Sequence, residues 1–141
     1  MADVTNEEGA QVKLERIHHA SLCVRDLARA KAFYGEVLGL EEIARPDFPF
    51  EGAWYRAGGN EVHLIVLPEG PAPDTPLNAL HRHVAFAVED VAGASGELAA
   101  KGFEVLGGGE GASQAWVKDA DGNIVELIKP QRGGAGTRPS A

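Results

Sequence analysis

The sequence predicts an α+β fold made of two tandem copies of one β-α-β-β-β module. Three observations carry that prediction: a long-range internal repeat, an alternation of short apolar strands with one amphipathic helix per half, and a proline-rich break at the middle of the chain. HASLCVRDLARAKAF from His19 aligns with HVAFAVEDVAGASGEL from His83, with His19 on His83, Val24 on Val88, Asp26 on Asp90 and Leu27 on Val91. AWYRAGGNEVHLIV from Ala53 resembles AWVKDADGNIVELI from Ala115, with Trp54 on Trp116, Gly59 on Gly122 and His63 on Glu126. Two separated blocks keep a nearly constant offset, which short apolar strands do not do by chance, so a duplication is the simplest account.

Each half follows the same order. Residues 17–24 and 83–88 are short, apolar and closed by a charged break, as strands are. Asp26 and Asp90 then stand where an N-cap carboxylate would accept the free amides of a first helical turn. In the first half Leu27, Ala30, Phe33, Tyr34, Val37 and Leu38 recur at helical spacing, and Gly39 supplies a stop. In the second half Val91, Ala94 and Leu98, with a stop at Gly102, make a shorter helix weakened by Gly93 and Gly96. Three strands follow in each half, at 41–45, 53–57 and 61–67, and again at 103–107, 114–118 and 123–129. Gly58-Gly59-Asn60 and Asp121-Gly122-Asn123 fit tight hairpin turns.

The folded unit is expected over residues 14–130, as module one (14–67), a linker (68–80) and module two (81–130). PEGPAPDTP at 68–76 places prolines where neither a helix interior nor a central strand tolerates them. Residues 1–13 are polar and acidic, and 131–141 read QRGGAGTRPSA, so both are expected as disordered tails.

Composition narrows the function classes. A chain of 141 residues fits one domain of ordinary globular composition, with 44% hydrophobic and 24% charged residues. The formal charge of −8 and the lack of a Lys/Arg cluster argue against a nucleic-acid partner. Cys23 is the single cysteine, so no internal disulfide forms and it reads as a small strand filler. No apolar run reaches membrane-spanning length and the polar start lacks the apolar stretch of a signal peptide, so a cytoplasmic protein without membrane association is expected.

Strand parity then sorts the polar residues. Ala20, Leu22 and Val24 should meet the helix, leaving His19 on the other face, and Val84, Phe86 and Val88 do the same for His83. Beside His83 the row continues with Ala85 and Ala87, small residues that leave space. Val62, Leu64 and Val66 set His63 opposite the helix, as Val125 and Leu127 set Glu126. The repeat superposes His19 on His83 and His63 on Glu126, so a pseudo-two-fold axis would bring two pairs together. A buried carboxylate among imidazoles costs several kcal/mol unless a cation or proton compensates it. Three imidazoles and a carboxylate suit one Fe, Ni, Zn, Mn or Co ion better than Mg or Ca, which prefer all-oxygen shells. The competing reading is a hydrogen-bonded His-Glu cluster without metal.

The segments IHHASLCVRDLARAKAFYGEVLGL, NEVHLIVLP, RHVAFAVEDV and DADGNIVELIKP resemble the vicinal oxygen chelate superfamily of glyoxalases, bleomycin-resistance proteins and extradiol dioxygenases, over nearly all of residues 16–130. That resemblance implies paired modules forming a U-shaped mixed sheet with helices on its outer face. It implies metal ligands on the first and last strand of each module, here His19, His63, His83 and Glu126, and a homodimer as the assembly. It also implies chelation of a small oxygen-bearing substrate, with the metal stabilising an enolate or oxyanion in lyase or isomerase chemistry. Glu126 or His63 would be the catalytic base.

The ligand set departs from the named subfamilies. Glyoxalase I has a carboxylate and the epimerases an amide where His63 stands. Extradiol dioxygenases and fosfomycin transferases use two His and one Glu, which map onto His19, His83 and Glu126 and leave His63 as an acid or base. Bleomycin-binding relatives lack the set, which disfavours their binding role here; the alternatives kept open are a ring-cleaving dioxygenase and a protein that sequesters a small molecule with a vestigial site. Phe48, Phe50, Trp54, Tyr55 and Arg82 are expected to line the substrate cavity; Arg45 and Arg56 are weaker candidates of the same kind. His18 has the wrong parity for a ligand, and His81 precedes its strand.

Overall fold

In the computed structural model, which describes residues 11–131, each half lays down one helix between its first and second strands. Module one runs β1 (His19–Val24), α1 (Leu27–Lys31), β2 (Glu41–Ile43), β3 (Gly52–Ala57) and β4 (Asn60–Val66). Module two runs β5 (His83–Ala87), α2 (Val91–Ala100), β6 (Val105–Gly107), β7 (Gln114–Lys118) and β8 (Ile124–Ile128). The expected order of elements is therefore observed in both halves. Residues 1–10 and 132–141, where most of the two expected tails lie, are outside the described residues; residues 11–18 carry no helix or strand.

The mixed β structure is divided into two four-stranded sheets of matching order, β1-β4-β3-β2 and β5-β8-β7-β6. In each, the first strand runs parallel to the last and the remaining pairs are antiparallel. The register is the same in kind: Ser21 stands opposite His63, and Ala85 stands opposite Glu126. Strands β1 and β5 are thus each an outer strand of a sheet, as β2 and β6 are at the other side, with one edge left unladdered among the described residues.

Both helices start as their sequence signals require. The Asp26 carboxylate accepts the amide of Arg29, and that of Asp90 accepts the amide of Gly93, each at 2.9 Å. They differ beyond the first turn. The second helix stays α-helical for all ten residues despite its two glycines. The first widens after Lys31 into a π-helical stretch, Ala32–Val37, in which the Leu38 amide reaches back to the Phe33 carbonyl. Both end at the anticipated left-handed glycines, Gly39 and Gly102.

One core serves both modules. Val24, Ala30, Phe33, Tyr34, Tyr55, Val62 and Leu64 pack in the same cluster as Leu98, Val117, Val125 and Leu127. The joint is polar at its centre. The fully buried Tyr34 donates its hydroxyl to Asp119 Oδ2 at 2.7 Å, and burial followed by the Asp119 charge pushes the phenol well above its usual range. Asp119 Oδ1 accepts the amides of Asp121 and Asn123, closing the turn. Asp121, 1% exposed, takes the Arg25 amide and the Arg29 guanidinium, while Asn123 Nδ2 donates to the Cys23 carbonyl. Gly122 at the apex has φ of 94°, and a side chain there would collide with the Ala72 carbonyl of the linker, so the position admits only glycine.

Candidate metal centre and substrate face

The four expected donors occur as two pairs, one per sheet. In module one, strand alternation places His19 and His63 on the face away from α1, with their rings stacked at 3.9 Å between centroids. Trp54, opposite His63 in the β3–β4 register, covers the other face of that imidazole at 4.0 Å and an interplanar angle of 2°. His63, 6% exposed, is held edge-on as well: its Nε2 lies 2.8 Å from Glu61 Oε1. A carboxylate accepts, so Nε2 carries the proton and Nδ1 is left as the lone-pair atom of the ring. That hydrogen bond is the first cause holding the Glu61 carboxyl below its usual range. The exposed His19 sits with its Nδ1 2.9 Å from His18 Nδ1, and partial desolvation, then the neighbouring His63 imidazole, lowers its pKa.

In module two the pair is ionic in character. His83 Nδ1 lies 2.7 Å from the carbonyl oxygen of His81, an atom that only accepts, so Nδ1 bears the proton. The other ring nitrogen, Nε2, lies 2.9 Å from Glu126 Oε1, an ion pair when the ring carries both protons. Two acceptor atoms repel at this distance unless a proton or a cation lies between them. Glu126 is 5% exposed and its second oxygen accepts from Gln114 Nε2 at 2.9 Å, which fixes the carboxylate plane. The His81 carbonyl orients the imidazole and the Gln114 amide orients the carboxylate, supports of the kind that metal ligands use, and the two donor types suit a borderline divalent ion as they also suit a hydrogen-bonded His–Glu pair.

The two pairs do not converge on one point: no group of three or more His, Cys, Asp or Glu side chains is placed to hold an ion among the described residues. The physical reason is the division of the β structure, since His19 and His83 sit on the outer strands of different sheets. A groove of about 810 Å³ runs between those strands, with Ala20, Glu61 and Val62 on one wall and His83, Ala85 and Phe86 on the other. The row His83, Ala85 and Ala87 is exposed, as the small residues at alternate positions anticipate.

The expected substrate-lining residues separate. Trp54 shares the face of His63, and Phe48 stands 6.2 Å from it, with Phe50 stacked on Phe48 at 5.2 Å. Tyr55 does not belong with them. It is 1% exposed and lies against Gly35 of the helix, because strand alternation turns it to the opposite face from Trp54. Arg82 is exposed just ahead of β5. Arg56 is taken by Glu41 at 3.2 Å, whereas Arg45 lies over the Phe48 and Phe50 rings. Glu61, Gln114 and His18 were not anticipated at the site. Glu61 shares parity with His63 and was open to that inference; His18 precedes the strand, where alternation imposes nothing.

This arrangement defines a paired-module fold with a polar residue of chelating type on the first and last strand of each module. Residues 16–127 match the Glyoxalase/Bleomycin resistance protein/Dioxygenase superfamily, and the chain belongs to that family. It is 30% identical over 129 residues to Glyoxylase I 4 of Arabidopsis thaliana, covering 86% of this chain and 74% of the relative. It is 33% identical to an ethylmalonyl-CoA/methylmalonyl-CoA epimerase of Cereibacter sphaeroides, covering 79% and 96% of the two chains. Among solved structures, a Bacillus anthracis protein assigned to the glyoxalase family superposes with a TM-score of 0.71 at 27% identity, over 86% of this chain and all of that one. The fosfomycin resistance protein FosX of Listeria monocytogenes, solved with Mn(II), shares the fold with a TM-score of 0.65 at 19% identity, over 84% and 95% of the two chains. No helix among the described residues is long and apolar enough to cross a membrane.

Proposed function

We propose that the chain is a divalent-metal-dependent enzyme of glyoxalase type, a lyase or isomerase acting on a small substrate with neighbouring oxygens. The observation that supports this reading is the His83–Glu126 pair, in which Nε2 and a carboxylate oxygen stand 2.9 Å apart, a gap that a proton or a cation must bridge, while each side chain is locked by its own support. Kinship with proteins named as a glyoxalase and an epimerase supports the reaction class.

His19, His63, His83 and Glu126 would hold the ion, which is Ni, Zn, Co, Mn or Fe by donor chemistry. Such an ion supplies Lewis-acid stabilisation of the charge that builds on a substrate oxygen as an enolate or oxyanion forms. The protein's own groups supply the proton transfer. Either Glu126, clamped by Gln114, or His63, whose Nε2–H is committed to Glu61, would leave the ion and accept the proton, His63 through Nδ1. Replacing either should lower kcat by more than it weakens substrate binding, and equal losses in both would remove the base role.

The two pairs meet in this reading across two copies of the chain, the β1 and β4 face of one against the β5 and β8 face of the other. The open edges of β1 and β5 support that assembly. Mixing tests it directly. His19→Ala and Glu126→Ala proteins should each fail to retain a divalent ion after gel filtration. Unfolded together and refolded, they should recover ion binding, because a mixed dimer builds one site from two intact faces. Failure to recover would place the whole site within a single chain.

A second reading has one observation in its favour. With His63 Nε2 engaged by Glu61, the set His19, His83 and Glu126 is that of a ring-cleaving dioxygenase. Retention of oxygen-sensitive Fe(II), undiminished in His63→Ala, would select it over the four-donor site.

A further inference from the structure

The loop between β2 and β3, residues 44–51, carries a second set of groups that reaches the candidate centre through neighbouring aromatic rings, with a tilted contact between Phe48 and Trp54. From His63 outward the series is Trp54 at 4.0 Å, Phe48 at 6.2 Å from Trp54, and Phe50 at 5.2 Å from Phe48 with only 7° between the planes. Phe48 and Phe50 are 39% and 43% exposed, so apolar ring surface is presented to solvent next to polar machinery. Solvent-facing phenyls on a loop gain little from folding, and a contiguous exposed pair of rings beside polar groups is the kind of surface that binds ligands.

A guanidinium is built onto that surface. Arg45 Cζ lies 5.1 Å from the Phe48 centroid and 5.0 Å from that of Phe50, within cation–π range of both. Its Nη2 donates to the Phe50 carbonyl at 2.6 Å, which fixes the fork without neutralising it. Gly52 makes room for this: a side chain there would come within 3.1 Å of Arg45 Nε and also meet the Leu64 carbonyl. Arg56, on the adjoining strand β3, is occupied by Glu41. Arg45 has no carboxylate partner among the described residues, although Asp47 and Glu51 share its loop.

We propose that Arg45, Phe48, Phe50 and Trp54 form a specificity subsite for a substrate that joins an anionic group to a flat apolar body, with Arg45 taking the anion and the rings taking the body. An arginine already oriented and partly desolvated by aromatic rings binds an oxyanion with less loss of side-chain freedom than a solvated one. The anion so held is separate from the neighbouring oxygens that the metal centre would chelate. The inference deepens the enzyme reading above and rests on it for the meaning of the subsite.

The test is made on full-length protein stripped with EDTA, so that the metal centre contributes nothing. Naphthalene-2-carboxylate, naphthalene-2-carboxamide and acetate are titrated by calorimetry and by tryptophan fluorescence. The acid should bind at least about tenfold tighter than the neutral amide, the margin of a charge-assisted contact, and acetate should not bind in the same range. Arg45→Gln should bring acid and amide to equal affinity, and Phe48→Ala should weaken both. Equal binding of acid and amide by the native protein, no binding of either, or an acid preference that survives Arg45→Gln overturns the proposal. Should Arg45→Gln bind neither probe, Arg45→Lys decides: an acid preference kept with the charge upholds the subsite, and its loss overturns it. Absence of a retained metal ion would sink the enzyme reading and leave these titrations unaltered.

Discussion

The two modules are alike in strand order, register and helix caps, yet they spend the same two positions on different chemistry. Module one places an imidazole at each, and the rings stack in a column with Trp54. Module two places an imidazole and a carboxylate, which face each other atom to atom. Even the matching tryptophans diverge. Trp54 is part of the column, whereas Trp116, across from Glu126 in the β7–β8 ladder, buries an indole nitrogen without a hydrogen-bond partner among the described residues. A duplicated backbone fixes where side chains project; what they do there depends on one or two neighbours, Glu61 in one sheet and Gln114 in the other.

The comparison is broken most severely at Glu126. Glu126→Ala should weaken divalent-ion binding by at least about a hundredfold in equilibrium dialysis, because it removes a donor and orphans the oriented Nε2 of His83. His63→Ala should cost clearly less if module one contributes only through His19; equal losses would make the two modules equal donors.

Tyr34→Phe probes the joint rather than the site. Loss of its bond to Asp119 should lower stability to urea by about 1.5–3 kcal/mol, as for a buried bond to a charged acceptor, with one transition retained. Two separated transitions would mean that the modules fold independently. Gln114→Ala should weaken ion binding by about tenfold, the usual effect of an outer support, with no change in urea stability. A fall in stability without a fall in ion binding would make Gln114 structural.

The smallest effect belongs to Glu61. Its folded-state carboxyl titrates below the usual value of 4.5, so its contribution to stability is present above that value and is lost as pH falls through the lower folded one. The stability difference between native protein and Glu61→Gln should therefore shrink as pH is taken from above 4.5 downward. A constant difference across that window would show that the Glu61–His63 contact has no charge component.

Most of the architecture was legible because repeat, cap and alternation signals agree. Asp26 and Asp90 cap as expected, β7 keeps its anticipated limits, and the buried stripe with Tyr34 lies in the core. The π-helical turn after Lys31 was not legible, since the same apolar spacing suits either helix to within a residue. Tyr55 could have been excluded by parity with Trp54, a rule already applied to the histidines. Gln114 depended on register: its ladder partner is Ile128, and only the diagonal reach across the sheet brings it to Glu126. How far apart two sheets of one duplication come to rest is set by packing at the joint, which no strand pattern encodes.

That joint has a mechanical consequence. The turn at Asp119, Asp121 and Asn123 grips the end of β1 and the first helix through buried and part-buried polar contacts, and Arg25, held by Asp121, reaches on to the linker. Rotating one half of the molecule against the other would expose several of these groups at once before new partners were found. An incoming molecule therefore meets two halves held in one fixed relation, beside a loop whose Arg45 is itself tied to the Phe50 carbonyl.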